Sequence, residues 1–297
     1  MSAGSLIETR AEVLENRDCG HGQFVLRLQA PAVAERAEPG QFVHLRCAPD
    51  LPMRRPLSIM RADARGGWIE LLYKRLGRGT RALAERKPGE RLPLLGPVGQ
   101  PFRVAPDTRR ALLIGGGVGM PPMLFLAERL HKLGAAARPW VALGSELPFP
   151  FRPVPSTLLL PGTPAAAIGA MPLLEDWGVP SRLASGAGLP GCFDGHVTEL
   201  ARGWLQALAP VERAQTELLA CGPEPMLRAT ARLAADFALP AQLCLEEYMA
   251  CALGGCAGCV VQVHTEAGPA MRRVCVDGPV FPAAAIYPDI STEARAG

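Results

Sequence analysis

Ala111-Leu112-Leu113-Ile114-Gly115-Gly116-Gly117-Val118-Gly119-Met120-Pro121-Pro122 carries the change of rhythm on which the fold turns. A short apolar run ends in a glycine cluster. The spacing then predicts a helix from Pro121, with Met123, Leu126, Ala127, Leu130 and Leu133 on one side and Gly134 at the stop. Downstream, Trp140–Leu143 reads as another strand and Glu217–Ala220 as a later one. Cys221-Gly222-Pro223 ends the later strand, and a helix is expected over about Glu224 to Phe237. Strand, glycine loop and helix in repetition predict a parallel α/β sheet. Glycines at a strand's carboxyl end, opening a helix, form a dinucleotide phosphate loop; Gly115, Gly116, Gly117 and Gly119 are the candidates, against the reading of a bare turn.

Upstream of this stretch the pattern is different. Val43, Leu45 and Cys47 alternate with His44 and Arg46, and Phe24, Leu26 and Leu28 alternate around Arg27. Trp68–Tyr73 is a further β-rich run. Turn residues at Pro39-Gly40, Gly66-Gly67, Pro88-Gly89 and Gly96-Pro97 separate these runs, so residues 1–104 predict an antiparallel barrel or sandwich. A short helix is expected near Thr80–Glu85, with Thr80 as its cap. Residues 105–240 form the expected α/β domain, in which the Pro148–Gly195 stretch gives no clear elements, and residues 241–297 form a third module.

The chain has 297 residues and a formal charge of +3, from 31 basic and 28 acidic side chains. That balance argues against a nucleic-acid protein held by phosphate contacts. Hydrophobic residues make up 48%, enough to bury a core and exclude global disorder. The most apolar stretch, Ala111–Ala127, is broken by glycine and proline, and residues 1–20 hold charges rather than a secretory apolar run. The expectation is a cytoplasmic protein without a membrane span.

Nine cysteines are present, and four crowd near the end as Cys251-x4-Cys256-x2-Cys259 followed by Cys275. C-x4-C-x2-C with a distant fourth cysteine is the plant-type spacing for a [2Fe–2S] cluster. A structural zinc knot normally pairs two C-x2-C hooks, and only Cys256 and Cys259 form one here. A zinc-stabilised binding module is therefore the weaker reading. None of the five histidines falls in a ligand spacing.

A third signal is Arg55-Pro56-Leu57-Ser58, where an arginine can neutralise a diphosphate and a nearby hydroxyl can reach a flavin edge. Leu72-Tyr73-Lys74 and Gly77-Arg78-Gly79-Thr80 follow, the latter placing backbone amides at a helix start. Tyr73 reads equally as a core tyrosine.

In order along the chain, Pro39–Phe42, Arg55–Ser58, Gly77–Thr80, Leu95-Gly96-Pro97, Gly115–Pro122 and Cys221-Gly222-Pro223 resemble the ferredoxin–NADP reductase superfamily. Leu245–Cys251, the cysteine spacing and Val274–Phe281 narrow the resemblance to the electron-transfer subunits of NAD-dependent (type B) dihydroorotate dehydrogenases. The resemblance implies a multi-domain β and α/β fold: an FAD-binding β-barrel, a Rossmann-like nucleotide domain and a small C-terminal [2Fe–2S] module. It assigns Arg55, Pro56, Leu57, Ser58, Leu72, Tyr73, Lys74, Gly79 and Thr80 to FAD, and Cys251, Cys256, Cys259 and Cys275 to the cluster. It places Cys221 beside the flavin–nicotinamide contact as a catalytic candidate, against the reading of a small buried residue.

The implied activity is an oxidoreductase subunit of pyrimidine biosynthesis. Its partner would be an FMN-containing dihydroorotate dehydrogenase subunit, in a heterotetramer, from which electrons pass through the cluster and FAD to NAD⁺. The scaffold equally suits a reductase serving ferredoxin, sulfide or hydrogenase chemistry. Arg182–Gly188, where such chains usually carry an acidic stretch, has no carboxylate. Arg182 therefore raises NADP as the alternative nucleotide.

Overall fold

The computed structural model describes residues 6–290. Six strands close into an antiparallel barrel: β1 (Ile7–Asp18), β2 (Gln23–Gln29), β3 (Phe42–Leu45), β4 (Arg55–Asp63), β5 (Trp68–Lys74) and β6 (Arg91–Val98), in the order β1-β2-β5-β4-β3-β6. Closure removes every sheet edge, and the alternating residues read from the sequence fill the inside. Phe24, Leu26, Leu28, Val43, Leu45, Cys47, Leu57, Ile59 and Leu71 are all buried in one cluster there. Helix α1 (Pro31–Arg36) bridges β2 and β3, and α2 (Arg78–Ala84) lies between β5 and β6.

The short helix expected near Thr80 starts earlier, and Thr80 is not its cap. Gly77 takes the cap position, and Thr80 stands three residues inside the helix. Its hydroxyl accepts from the N–H groups of Leu76 and Gly77, so the threonine closes the turn from within.

The second sheet has the order β11-β8-β7-β12-β13-β16. Its strands are β7 (Arg110–Gly116), β8 (Arg138–Gly144), β11 (Ser181–Ala184), β12 (Thr216–Cys221), β13 (Ala241–Cys244) and β16 (Val280–Pro282). All neighbours run parallel except β16, which pairs antiparallel with β13. Helices α3 (Met120–Lys132), α5 (Val197–Ala207) and α7 (Glu224–Asp236) cover it, with the shorter α6 (Pro210–Ala214) before β12. The predicted strands and both long helices stand within a residue or two of their expected bounds. In the Pro148–Gly195 stretch lie two-residue strands β9 (Val154–Pro155) and β10 (Gly169–Ala170), paired with each other, and α4 (Pro172–Asp176).

The sheet does not stop at residue 240. Helix α7 returns the chain beside β12, so β13 extends the parallel sheet and β16 caps its edge. Between them the chain leaves the sheet to form the cysteine loop and the hairpin of β14 (Val260–Thr265) and β15 (Gly268–Arg273), and α8 (Ala283–Ile286) follows.

Charged side chains fix the barrel against the sheet. Arg61 on β4 donates to Glu128 on α3 at 2.9 Å and lies 3.5 Å from Glu70 on β5, which also accepts from Arg27. Both carboxylates are buried, and Lys132 reaches Glu128 as well. A buried carboxylate is tolerated only when paired, so removing Arg61 would leave two of them short of a partner. A second anchor is Glu217, whose carboxylate accepts from the Ala105 N–H, the Thr108 hydroxyl and Gln242. It ties the linker after the barrel to the start of β13.

Candidate functional site

The carboxyl ends of the parallel strands face the outer side of β4 and β5. Arg55, at the start of β4, is half-buried and donates to the Met53 and Arg54 carbonyls. Its guanidinium lies against Gly79: a Cβ built there would meet Arg55 Nε at 2.7 Å. That glycine keeps the arginine over the first turn of α2, so a fixed cation and free backbone amides share one place. This donor set fits a diphosphate.

Along β4, Leu57 and Ile59 point into the barrel, so Pro56 and Ser58 point out. Tyr73 takes the core reading. It is buried, stacks on Phe24 with ring centroids 5.4 Å apart, and donates its hydroxyl to Asn16. Like Leu57, it offers a flavin only its backbone. Leu72 and Lys74, on the opposite face of β5, point toward the second sheet: Leu72 packs with Met120 and Met123, and Lys74 Nζ lies 3.8 Å from a Cβ built on Gly117.

The glycine loop follows β7 as expected. Gly117–Gly119 forms one tight turn before α3 starts. At Gly119 an added Cβ would meet the Cys221 carbonyl oxygen at 2.3 Å, so only glycine lets this loop cross the Cys221-Gly222 loop. Met226 Sδ fills the space beside Gly116.

Cys221 ends β12 directly opposite Cys244 on β13. The thiol is buried, and the hydrogen bond with Cys244 together with desolvation raises it well above the ordinary cysteine range. A thiol so placed is held protonated and inside the protein. This matches the small buried residue rather than an exposed reactive group.

Arg182 does not face a nucleotide phosphate. It is 6% exposed and donates to the Ser181 carbonyl at 2.7 Å and the Leu158 carbonyl at 2.6 Å. Its guanidinium is engaged by its own strand and by the loop between β9 and β10, which removes the sequence argument for a 2′-phosphate.

The four clustered cysteines come together in two pairs. Burial pushes Cys251 up, but the N–H groups of Leu253, Cys256 and Gly255 and the Cys256 thiol bring it down to about 7. Burial and the neighbouring Cys259 thiol push Cys275 up to about 12. Cys251 thus sits with Cys256, and Cys259 with Cys275. The Leu253 N–H points at Cys251 Sγ (3.3 Å) and the Gly258 N–H at Cys256 Sγ (3.4 Å). Positive φ at Ala252, Gly254 and Ala257 turns the backbone inward to make these contacts. Among the described residues, no three His, Cys, Asp or Glu side chains are grouped to hold a metal ion. Two thiol pairs with amides turned toward their sulfurs would suit a [2Fe–2S] cluster, because such amides stabilise negative sulfur.

Two residues here had no signal in the sequence. Glu246, solvent-accessible but ringed by protein, has its carboxyl raised by desolvation while the Lys74 charge opposes the shift. His44, on β3, is completely buried, and neither ring nitrogen has a hydrogen-bond partner.

Comparison with known proteins agrees with this arrangement. The iron–sulfur cluster binding domain of dihydroorotate dehydrogenase B matches residues 246–287. The electron transfer subunit of dihydroorotate dehydrogenase B (NAD(+)) from Geobacillus kaustophilus is 35% identical over 279 residues, covering 92% of this chain and 95% of that relative. The same subunit from Shouchella clausii is 30% identical over an equal length. Among solved structures, an NADH-dependent reduced ferredoxin–NADP oxidoreductase superposes with a TM-score of 0.76 at 24% identity, over 97% of this chain and 93% of its own. A ferredoxin–NADP⁺ reductase from Neisseria gonorrhoeae with bound FAD and NADP gives 0.56 at 16% identity, over 79% and 92%. The barrel, the sheet with its glycine loop and the paired cysteines thus occur together in a chain that belongs to the family of dihydroorotate dehydrogenase B electron transfer subunits.

Proposed function

We propose that this chain carries electrons between a partner dehydrogenase and NAD⁺, using FAD on the barrel, a nicotinamide nucleotide on the parallel sheet, and a [2Fe–2S] cluster in the cysteine loop and hairpin that lie between β13 and β16. The partner is an FMN-containing dihydroorotate dehydrogenase subunit, assembled with this chain as a heterotetramer. The observation that carries the reading is the meeting of three donor sets on adjoining faces: Arg55 over Gly79, Lys74 beside Gly117, and the Cys251–Cys256 and Cys259–Cys275 pairs. A bound flavin exchanges a hydride with nicotinamide and single electrons with a cluster, which joins two-electron to one-electron chemistry.

The chain's own residues bind and orient. Arg55 holds the FAD diphosphate with the amides of Gly79 and Thr80. Pro56, Ser58 and the backbone of Leu72–Lys74 line the isoalloxazine edge. Gly115, Gly116, Gly117 and Gly119 let the nucleotide diphosphate approach the start of α3, with Lys74 supplying a positive charge. Cys221 forms part of the buried floor where the two strand-end loops cross. With Arg182 internal, NAD is the favoured nucleotide.

The test is reconstitution. Alone, the chain should oxidise NADH with a dye acceptor and fail to oxidise dihydroorotate. Adding the FMN-containing subunit should restore dihydroorotate-to-NAD⁺ transfer. Dye reduction with no dihydroorotate coupling would contradict the reading and favour a ferredoxin- or sulfide-linked reductase, and a colourless, zinc-loaded chain would contradict any redox role.

A further inference from the structure

Among the described residues, His44 is a buried side chain with two polar atoms and no partner for either. It is 0% exposed, and both Nδ1 and Nε2 lack a hydrogen-bond partner. Such a group destabilises the fold unless something completes its bonding. Its place shows what that is. In the β3–β4 ladder, Phe42 stands opposite Ser58 and His44 opposite Pro56. Directly opposed residues share a face, so His44 and Phe42 lie on the outer side of the barrel beside Pro56 and Ser58, one strand spacing of about 4.8 Å away.

The same outer column is covered by the cysteine module. Phe42 packs in one cluster with Ala252, Cys259, Val274 and Cys275, and Met249 joins it. His44 therefore stands between the strand assigned to FAD and the loop assigned to the cluster. Burial and the neighbouring arginines keep it neutral. Burial, and then Arg54, push its pKa down to about 4; the Met249 backbone acts the other way, and Arg55 lowers it further. The Met249 carbonyl is close enough to act on the ring, yet no aligned hydrogen bond closes.

Resting on the functional reading above, we propose that His44 is a positioning residue of the one-electron path: as the loop takes up its cluster, a ring N–H of His44 donates to the Met249 carbonyl and seats the loop against the flavin-facing side of the barrel. One electron leaves one group and enters the other; His44 gains or loses neither an electron nor a proton. Its contribution is the fixed placement of the loop that starts at Met249 and reaches Cys251 two residues later.

The test uses the full chain, purified anaerobically with its cofactors. In H44F, iron, sulfide and FAD contents should match the wild type. The EPR spectrum of the reduced cluster should shift, and cluster reduction by NADH, followed by freeze-quench, should slow by up to about tenfold, the drop in the population of seated loops that one lost hydrogen bond would cause. H44Q keeps a side-chain N–H and should recover most of both. A wild-type spectrum and rate in H44F would overturn the proposal. Should H44F not fold, ¹⁵N spectra of histidine-labelled, oxidised wild-type protein decide: one His44 nitrogen should be protonated and hydrogen-bonded, and a ring with no such bond overturns the proposal. A wild-type chain without iron would overturn the functional reading itself, and is seen before any variant is made.

Discussion

At Gly119 an added Cβ would collide with the Cys221 carbonyl oxygen at 2.3 Å, whereas at Gly255 it would meet nothing within 4 Å. The two glycine-rich loops look alike in sequence and differ in what they need glycine for. After β7, the glycines admit other parts of the protein: the Cys221-Gly222 backbone at Gly119 and the Met226 thioether at Gly116. That loop is already packed from beneath, so its free side is a rigid cradle. In the cysteine loop, Gly255 and Gly258 are exposed, and shape comes from the positive φ of Ala252, Gly254 and Ala257. Only Gly254 is packed there, since an added Cβ would meet Val276 Cγ2 at 2.7 Å. One loop is closed by the crossing of two backbones, and the other by backbone angles that turn amides toward the thiols.

The sharpest way to break this contrast is to remove a thiol. Cys256→Ser should abolish or strongly destabilise the cluster, since a hydroxyl poorly replaces a thiolate on iron. FAD should remain, because Arg55 and Gly79 lie in the barrel. Iron and sulfide analysis beside flavin absorbance checks both halves. Gly119→Ala should come next, destabilising the whole chain by about 3 kcal/mol or more, because the clash is with backbone that cannot rotate away. A denaturant melt with unchanged midpoint would show that the crossing is looser than described.

A smaller and more local effect is expected at the barrel edge. Arg55→Ala should weaken FAD by about 1.5–3 kcal/mol, roughly 10- to 150-fold, and leave the cluster in place. Flavin release measured by fluorescence is the check, and wild-type affinity would remove Arg55 from the diphosphate site. The smallest effect belongs to Gly255→Ala. Without a clash or a positive φ to satisfy, it should change stability by less than about 0.5 kcal/mol and retain iron. Loss of the cluster in that variant would contradict the reading that this position carries no constraint.

Much of this was legible in the sequence because local pattern and tertiary environment agree. The alternation around Val43 and Leu45 marks a strand with one apolar face, and the barrel core receives that face. The cysteine spacing reads directly as chemistry, since thiolates at those intervals have few other uses. What stayed hidden depends on long-range pairing. Val280–Pro282 is three residues, too short to show a period, and becomes a strand only because β13 offers an edge. Arg182 looks like a phosphate ligand until the Leu158 carbonyl, 24 residues away, is seen to hold it. His44 carries no spacing signal at all; its meaning comes from being enclosed between the barrel and the cysteine module without a partner. Tyr73 was open between two roles, and the Asn16 hydrogen bond decided for the core.

In the proposed function one chain joins nicotinamide chemistry to a one-electron outlet. An anaerobic titration of the purified chain with NADH, followed by visible absorption and EPR on the same samples, tests it most directly. Flavin bleaching should be accompanied by the EPR signal of a reduced [2Fe–2S] cluster, and Cys256→Ser should keep the bleaching and lose the signal. Complete flavin reduction with no cluster signal in the wild type, or a chain holding zinc in place of iron, would contradict it.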